Sequence, residues 1–155
     1  MIKRYPEDRF GNTFIGIKLP MNGDRTTLEN SVFNMSTTTE EQAVSNYINL
    51  LLTKKGERYM QPTFGIGLQY RLFEPNTLAL RTEIEFDIYN QSAIWLPYIH
   101  NHEIIISDSV PSNSISSRDR ENSIQIIIRF SVTERGANKS ITLFQNQGRI
   151  QYIIE

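Results

Sequence analysis

Apolar residues recur through the middle of the chain with a helical period and through its last third with a period of two. Val44, Tyr47, Ile48 and Leu51 fall at i, i+3, i+4 and i+7, one face of a helix. This spacing predicts a helix from about Thr39 to Lys55. Thr38 with Glu41, or Thr39 with Gln42, matches a capping box at its start. Gly56 stands where a left-handed C′ residue would stop the helix, with Lys54 and Lys55 in the last turn favouring the negative dipole end. Pro62, Gly65 and Gly67 then mark a loop, because proline cannot continue a helix and glycine permits backbone angles closed to other residues. Leu68 to Phe73 is long enough for one or two helical turns, broken by Glu74-Pro75-Asn76. Leu80, Ile84, Ile88 and Trp95 form a second stripe, interrupted by Gln91. They predict a helix from about Thr77 to Ala93, capped by Asn76 or Thr77 and ended before Pro97.

The period then changes. Glu103 to Ser107 reads as a strand with Ile104 and Ile106 on one side, and 108–122 as a long serine-rich loop. Ser123 to Val132 is the clearest strand, with Ile124, Ile126, Ile128, Phe130 and Val132 alternating with the residues between them. After a turn around Gly136, Ser140–Phe144 and Arg149–Ile154 pair as a hairpin across Gln145-Asn146-Gln147-Gly148. Near the start, Thr13 to Leu19 suits a short strand with Gly16 as its weak point, and Val32, Phe33 and Met35 form a small apolar group. Helices followed by strands, without βαβ alternation, imply an α+β fold: two main helices packed on a small antiparallel β-sheet. Residues 1–37 are expected to form an N-terminal arm and 38–155 a single domain. No internal repeat is visible.

Composition narrows the function mainly by exclusion. With 155 residues, 16 basic and 17 acidic, the net charge is −1, which gives no electrostatic case for nucleic acid or an anionic membrane. Cysteine is absent, so disulfide and thiolate chemistry are out, and the chain suits a reducing cytoplasm. No apolar run approaches the ~18 residues that span a bilayer, and the N-terminus lacks the apolar region of a secretory signal.

Candidate chemistry is thin. Glycoside hydrolysis needs two carboxylates, one with a raised pKa. Glu57, Glu74, Glu83, Glu85 and Asp87 are available, but they read equally as a solvated face. His100 and His102, i and i+2 on a strand, would point the same way, yet two ligands leave a tetrahedral metal site unfinished. Gly65-Ile66-Gly67 lacks the third glycine and the lysine of a phosphate loop, and no Gly-x-Ser-x-Gly occurs. No catalytic residue, metal ligand or cofactor site is therefore assigned. Trp95-Leu96-Pro97-Tyr98-Ile99 is a dense apolar knot that suits a core plug or an interface anchor. The final strand, β-branched and at a sheet edge, invites another chain's strand.

Leu51-Leu52-Thr53, Gly56-Glu57-Arg58, Pro62, Phe64-Gly65, Leu68 and Leu72-Phe73-Glu74, continued by Arg129-Phe130-Ser131-Val132, resemble the small baseplate wedge subunit of contractile phage tails. That family is also called the sheath initiator, older descriptions call it a tail lysozyme, and a related subunit occurs in type VI secretion baseplates. The resemblance covers about Thr38 to Val132. It departs at Leu96-Pro97-Tyr98, where the family has Glu-Pro-Arg at the surface that docks on the wedge core bundle. What it implies is a structural, non-enzymatic protein of the virion baseplate, assembled in the host cytoplasm. Its implied partners are other wedge proteins and the tail sheath subunit, with the tail tube or hub as a further contact. Trp95, Leu96, Pro97, Tyr98 and Ile99 would dock on the wedge. Ile141, Leu143, Ile150, Tyr152 and Ile154 would mark the strands beside the sheath, templating its first ring. Gly56, Glu57, Arg58, Pro62, Phe64 and Gly65 would fix a structural loop. A peptidoglycan-degrading muramidase and a regulatory binding module on the same fold are the competing readings.

Overall fold

The computed structural model describes residues 14–19, 34–71, 74–75, 77–107, 125–133, 136–146 and 149–154. Within these, the side chains of 144–146 and 149–152 lie outside the description. The expectations for Val32, Phe33, Asn76, the 108–122 loop and Ile124 also lie outside the described residues. The fold is α+β, with two main helices and antiparallel sheets. The chain forms two compact units, Met1–Asn49 and Leu50–Glu155.

In the first unit, β1 (Gly16–Ile17) pairs antiparallel with β2 (Met35–Ser36). The expected strand at Thr13–Leu19 is thus only two residues long, and Met35 belongs to a strand that the apolar pattern does not announce. Two residues are too few to display a period. Gly16 is also a place of close approach, since a Cβ there would overlap the Gln42 carboxamide. Helix α1 (Thr39–Leu52) begins as its sequence suggests: Thr38 Oγ1 accepts from the Glu41 amide at 3.2 Å, and Glu41 Oε2 accepts from the Thr37 amide at 3.3 Å.

The end of α1 differs from expectation. The helix stops at Leu52, so Lys54 and Lys55 are not in its last turn and Gly56 is not its C′ residue. The Leu50 carbonyl accepts from the amide of Ile66 at 3.1 Å, so a distant segment satisfies a group that a local glycine cap would otherwise serve. Gly56, at φ 92, instead completes the turn Lys54–Glu57, whose closing bond is 3.1 Å. A second turn (Gln61 amide to Arg58 carbonyl, 3.2 Å) and a third around Pro62 (Phe64 amide to Gln61 carbonyl, 3.1 Å) return the chain to the helix. Gly65 (φ 103) lies so close to Thr53 that a Cβ would strike its carbonyl, and Gly67 (φ 70) lies against Lys54.

Helix α2 (Leu68–Arg71) is a single turn. Helix α3 (Leu78–Trp95) is capped by Thr77, whose side chain accepts from the Leu80 amide at 3.2 Å. Leu80, Ile84, Ile88, Gln91 and Ser92 are buried. The helix runs two residues past the expected Ala93, to Trp95.

Strands β3 (Ile99–Ser107), β4 (Gln125–Val132), β5 (Asn138–Asn146) and β6 (Arg149–Ile154) form an antiparallel meander in chain order. β3 begins at Ile99, four residues before the expected Glu103, and carries a bulge between Asn101 and Glu103. Ile99 and Asn101 lie opposite Val132 and Phe130; beyond the bulge Ile104 and Ile106 lie opposite Ile128 and Ile126. Without the extra residue, period two would carry Glu103 and Ile105 to the core face instead. The core of this unit includes Leu50, Leu51, Phe64, Leu68, Ile84, Ile88, Ile126, Ile128, Phe130, Ile141 and Leu143.

The glycines of the loop give a graded test. A Cβ at Gly56 meets nothing within 4 Å, so Gly56→Ala is expected to cost only the left-handed penalty of about 1–2 kcal/mol. Gly65→Ala adds a collision with backbone and is expected to cost about 3 kcal/mol or more. Urea unfolding of both variants checks the order.

Candidate functional site

The loop after α1 is held from inside by its own charged residues. Glu57 Oε2 accepts from the Lys54 amide at 2.9 Å and its Oε1 from the Tyr70 hydroxyl at 3.1 Å. Arg58 lays its guanidinium 3.7 Å from the centroid of the Phe64 ring and donates to Gln61 Oε1 at 3.0 Å. Phe64 meets Trp95 edge-on, with centroids 5.4 Å apart. The structure therefore brings together Gly56, Glu57, Arg58, Pro62, Phe64 and Gly65.

Arg71 organises a second cluster, which the sequence does not announce. Its Nη2 lies 2.7 Å from Glu83 Oε1 and 3.5 Å from Asp87 Oδ2, and its Nη1 lies 3.4 Å from Glu74. Lys55 reaches Asp87 Oδ1 at 3.0 Å. The hydrogen bond with Glu83 is the chief cause that raises the Arg71 pKa above its ordinary value, opposed by burial. A raised cation contributes stability below its unfolded pKa, here far above neutrality, so Arg71 stays charged wherever the protein is folded. Glu83 and Asp87 thus share one guanidinium. Their i, i+4 spacing is the one sequence signal of this cluster; the partner lies on another element.

The five residues of the apolar knot divide. Leu96 and Ile99 are buried, Trp95 is half-buried, and Pro97 and Tyr98 are exposed. The Tyr98 carbonyl accepts from the amide of Thr133 at 2.8 Å, and Thr133 sits at φ 77. Nearby, His102 Nε2 lies 2.9 Å from Ser131 Oγ, which donates to the Thr133 carbonyl at 2.9 Å. No group of three or more His, Asp and Glu residues that could hold a metal ion occurs among the described residues.

On the sheet, Ile141 and Leu143 are buried in β5. Ile150, Tyr152 and Ile154 lie in β6, the outermost strand among the described residues. Register places Ile104, Ile128, Ile141 and Ile154 in one row across the four strands. Ile128 and Ile141 are buried in that row, whereas Ile154 is 36% exposed; its neighbour Ile153 is 49% exposed.

The family described as baseplate wedge protein gp25 matches residues 38–136, more than half of the chain. The chain belongs to the baseplate wedge protein gp25 family. It is accordingly a structural component of the phage tail baseplate, associated with other baseplate proteins. A crystal structure of a Geobacter sulfurreducens protein, provisionally described as a tail lysozyme, has the same fold at 22% identity and a TM-score of 0.54. The match covers 70% of this chain and 91% of that one. No curated protein sequence matches the chain. No described helix of this gp25-family protein is long and apolar enough to cross a membrane.

The Arg71 cluster yields the next test. Arg71→Leu leaves Glu83 without its cation and Asp87 with Lys55 alone, and is expected to destabilise by about 1–2 kcal/mol. That is more than an isolated surface pair, because several charges share the network. Adding Glu83→Gln should recover part of the loss, and a double-mutant cycle in urea measures it.

Proposed function

We propose that this subunit docks on the wedge core through the exposed part of the Trp95–Ile99 segment and offers the edge of β6, the outermost strand among the described residues, to a strand of the sheath subunit. The first sheath ring would be templated in that way. The observation that carries the reading is the Ile128–Ile141–Ile154 row, sealed at β5 and open at β6. A core face that stays open at an edge strand is completed by one more strand. Backbone hydrogen bonds would supply affinity, and alternate side chains specificity. Leu96 and Ile99 act in this reading as the anchor that holds Pro97 and Tyr98 at the surface. The sheath subunit and the wedge proteins are the partners, with the tail tube or hub as a further contact.

Two experiments check it. Replacing Ile153 and Ile154 together by lysine places charge on the edge and is expected to weaken binding of the purified sheath subunit at least about tenfold. Melting should stay within a few degrees; undiminished sheath binding would sink the strand-addition reading. Separately, Tyr98→Ala is expected to reduce binding to the wedge core at least about tenfold with little loss of stability. Leu96→Ala should destabilise the chain itself by about 2–4 kcal/mol. If Tyr98→Ala left wedge assembly intact on a native gel, the docking surface would lie elsewhere.

A further inference from the structure

Helix α3 carries a second stripe, on the side away from its buried one. Ala79, Thr82, Phe86, Tyr89 and Ala93 follow one another in alternating steps of three and four residues, the spacing of a coiled-coil seam. All five are exposed, Phe86 by 65%, whereas Leu80, Ile84, Ile88, Gln91 and Ser92 hold the opposite side in the core. Leu78 and Ile94, also exposed, extend the apolar surface at its two ends. A single exposed apolar side chain is ordinary, but a contiguous stripe marks a contact. Thr82 gives its hydroxyl to the Leu78 carbonyl at 3.1 Å, so covering the stripe there strands no donor. The borders of the seam carry charge of one sign. Glu83 and Glu85 flank it on its two sides, at the positions from which coiled-coil helices choose their partners. The helix contains a single cation, Arg81, which lies off the seam.

We infer that this seam takes an α-helix of another baseplate protein, one whose apolar stripe is bordered by lysine or arginine and offers small residues opposite Phe86 and Tyr89. The spacing selects a helix, because knobs placed in this way fit the holes between the side chains of a second helix. The two glutamates select its basic borders. A second copy of this chain fits worse. Laid antiparallel, it would set Glu83 against Glu83 and Glu85 against Glu85. Laid parallel, it would bring Phe86 and Tyr89 onto their own counterparts and offer neither glutamate a cation. The inference rests on membership of the wedge family and uses neither the Tyr98 surface nor the edge of β6.

The test titrates the full chain against the assembled wedge proteins of the same tail, purified without it. Phe86→Ala with Tyr89→Ala is expected to weaken binding at least about thirtyfold. Glu85→Lys should weaken it at least about tenfold, through like charge across the seam. Added salt should weaken the wild type more than Glu85→Gln. Melting temperature and sheath binding should be unchanged, and the losses should persist in a Tyr98→Ala background. That separates this surface from β6 and from the Trp95–Ile99 segment. The chain has no cysteine, so a thiol-linked photocrosslinker on Asn90→Cys identifies the neighbour directly. The expected adduct lies on a helix with lysine or arginine beside its apolar stripe. Affinity within twofold of wild type for Phe86→Ala with Tyr89→Ala, or unweakened binding by Glu85→Lys, would overturn the inference. So would an adduct confined to a strand, to a loop or to a second copy of this chain.

Discussion

The return of the chain onto the end of α1 is the contact from which the rest of Leu50–Glu155 follows. A helix end leaves carbonyls without partners. Here the Leu50 carbonyl is met by the amide of Ile66, and Gly65 comes close enough to Thr53 that no side chain fits between them. That approach delivers Phe64 edge-on to Trp95, at the far end of α3, and lets Arg58 close over its ring. It also starts α2 at Leu68, one turn before Arg71 meets Glu83 and Asp87 in the first half and middle of α3. The end of α3 is thus tied to the loop through Phe64, and its middle to α2 through Arg71.

The sheet depends on a second constraint, that of parity. A strand has only two faces, and a bulge exchanges them. β3 leaves α3 with Ile99 and Asn101 on the core side. Asn101 gives its amide to Ser92 Oγ at 2.7 Å, and Ser92 Oγ in turn donates to the Ile88 carbonyl at 2.7 Å. A polar pair can therefore sit under the helix without an unmet bond on Ser92. The extra residue at His102 then brings Ile104 and Ile106 to the core face for the remainder of the strand. From there the apolar rows run unbroken across β4 and β5 and emerge at β6.

What was legible in the sequence was what is local and periodic. The stripe of α1, the Thr77 cap, the alternation of β4 and the β5–β6 hairpin each depend on residues a few positions apart, and each is found. What was not legible depends on partners distant in the chain. Gly56 looks like a helix stop because its immediate neighbours suit one, yet the bond between Leu50 and Ile66 ends the helix earlier. The start of β3 is hidden because a bulge interrupts its alternation. Arg71 gives no sign of Glu83 and Asp87, since they lie on another helix; only its contact with Glu74 is local. The Trp95–Ile99 knot shows the limit for the site: an apolar cluster has the same composition whether it plugs a core or lies at the surface, and here it is divided, with Leu96 and Ile99 inside and Tyr98 outside. Tyr59-Met60 forms no period at all, so its exposure could not be read from the chain.

The distribution of charge bears on how such a subunit recognises its neighbours. With a net charge of −1, it has little long-range field with which to steer an encounter. Among the described residues several charges are paired within the subunit: Arg71 with Glu83 and Asp87, Lys55 with Asp87, Arg129 with Glu103. What it presents outward is the edge of β6, the Tyr59-Met60 tip and an apolar flank of α3 that includes Leu78, Phe86 and Ile94. Recognition by such surfaces depends on shape and strand register more than on attraction at a distance. Association is then limited by orientation. If a neighbour's strand adds at such an edge, seating it out of register would leave backbone groups and apolar surface unpaired, so a misplaced neighbour would dissociate more readily than a correct one.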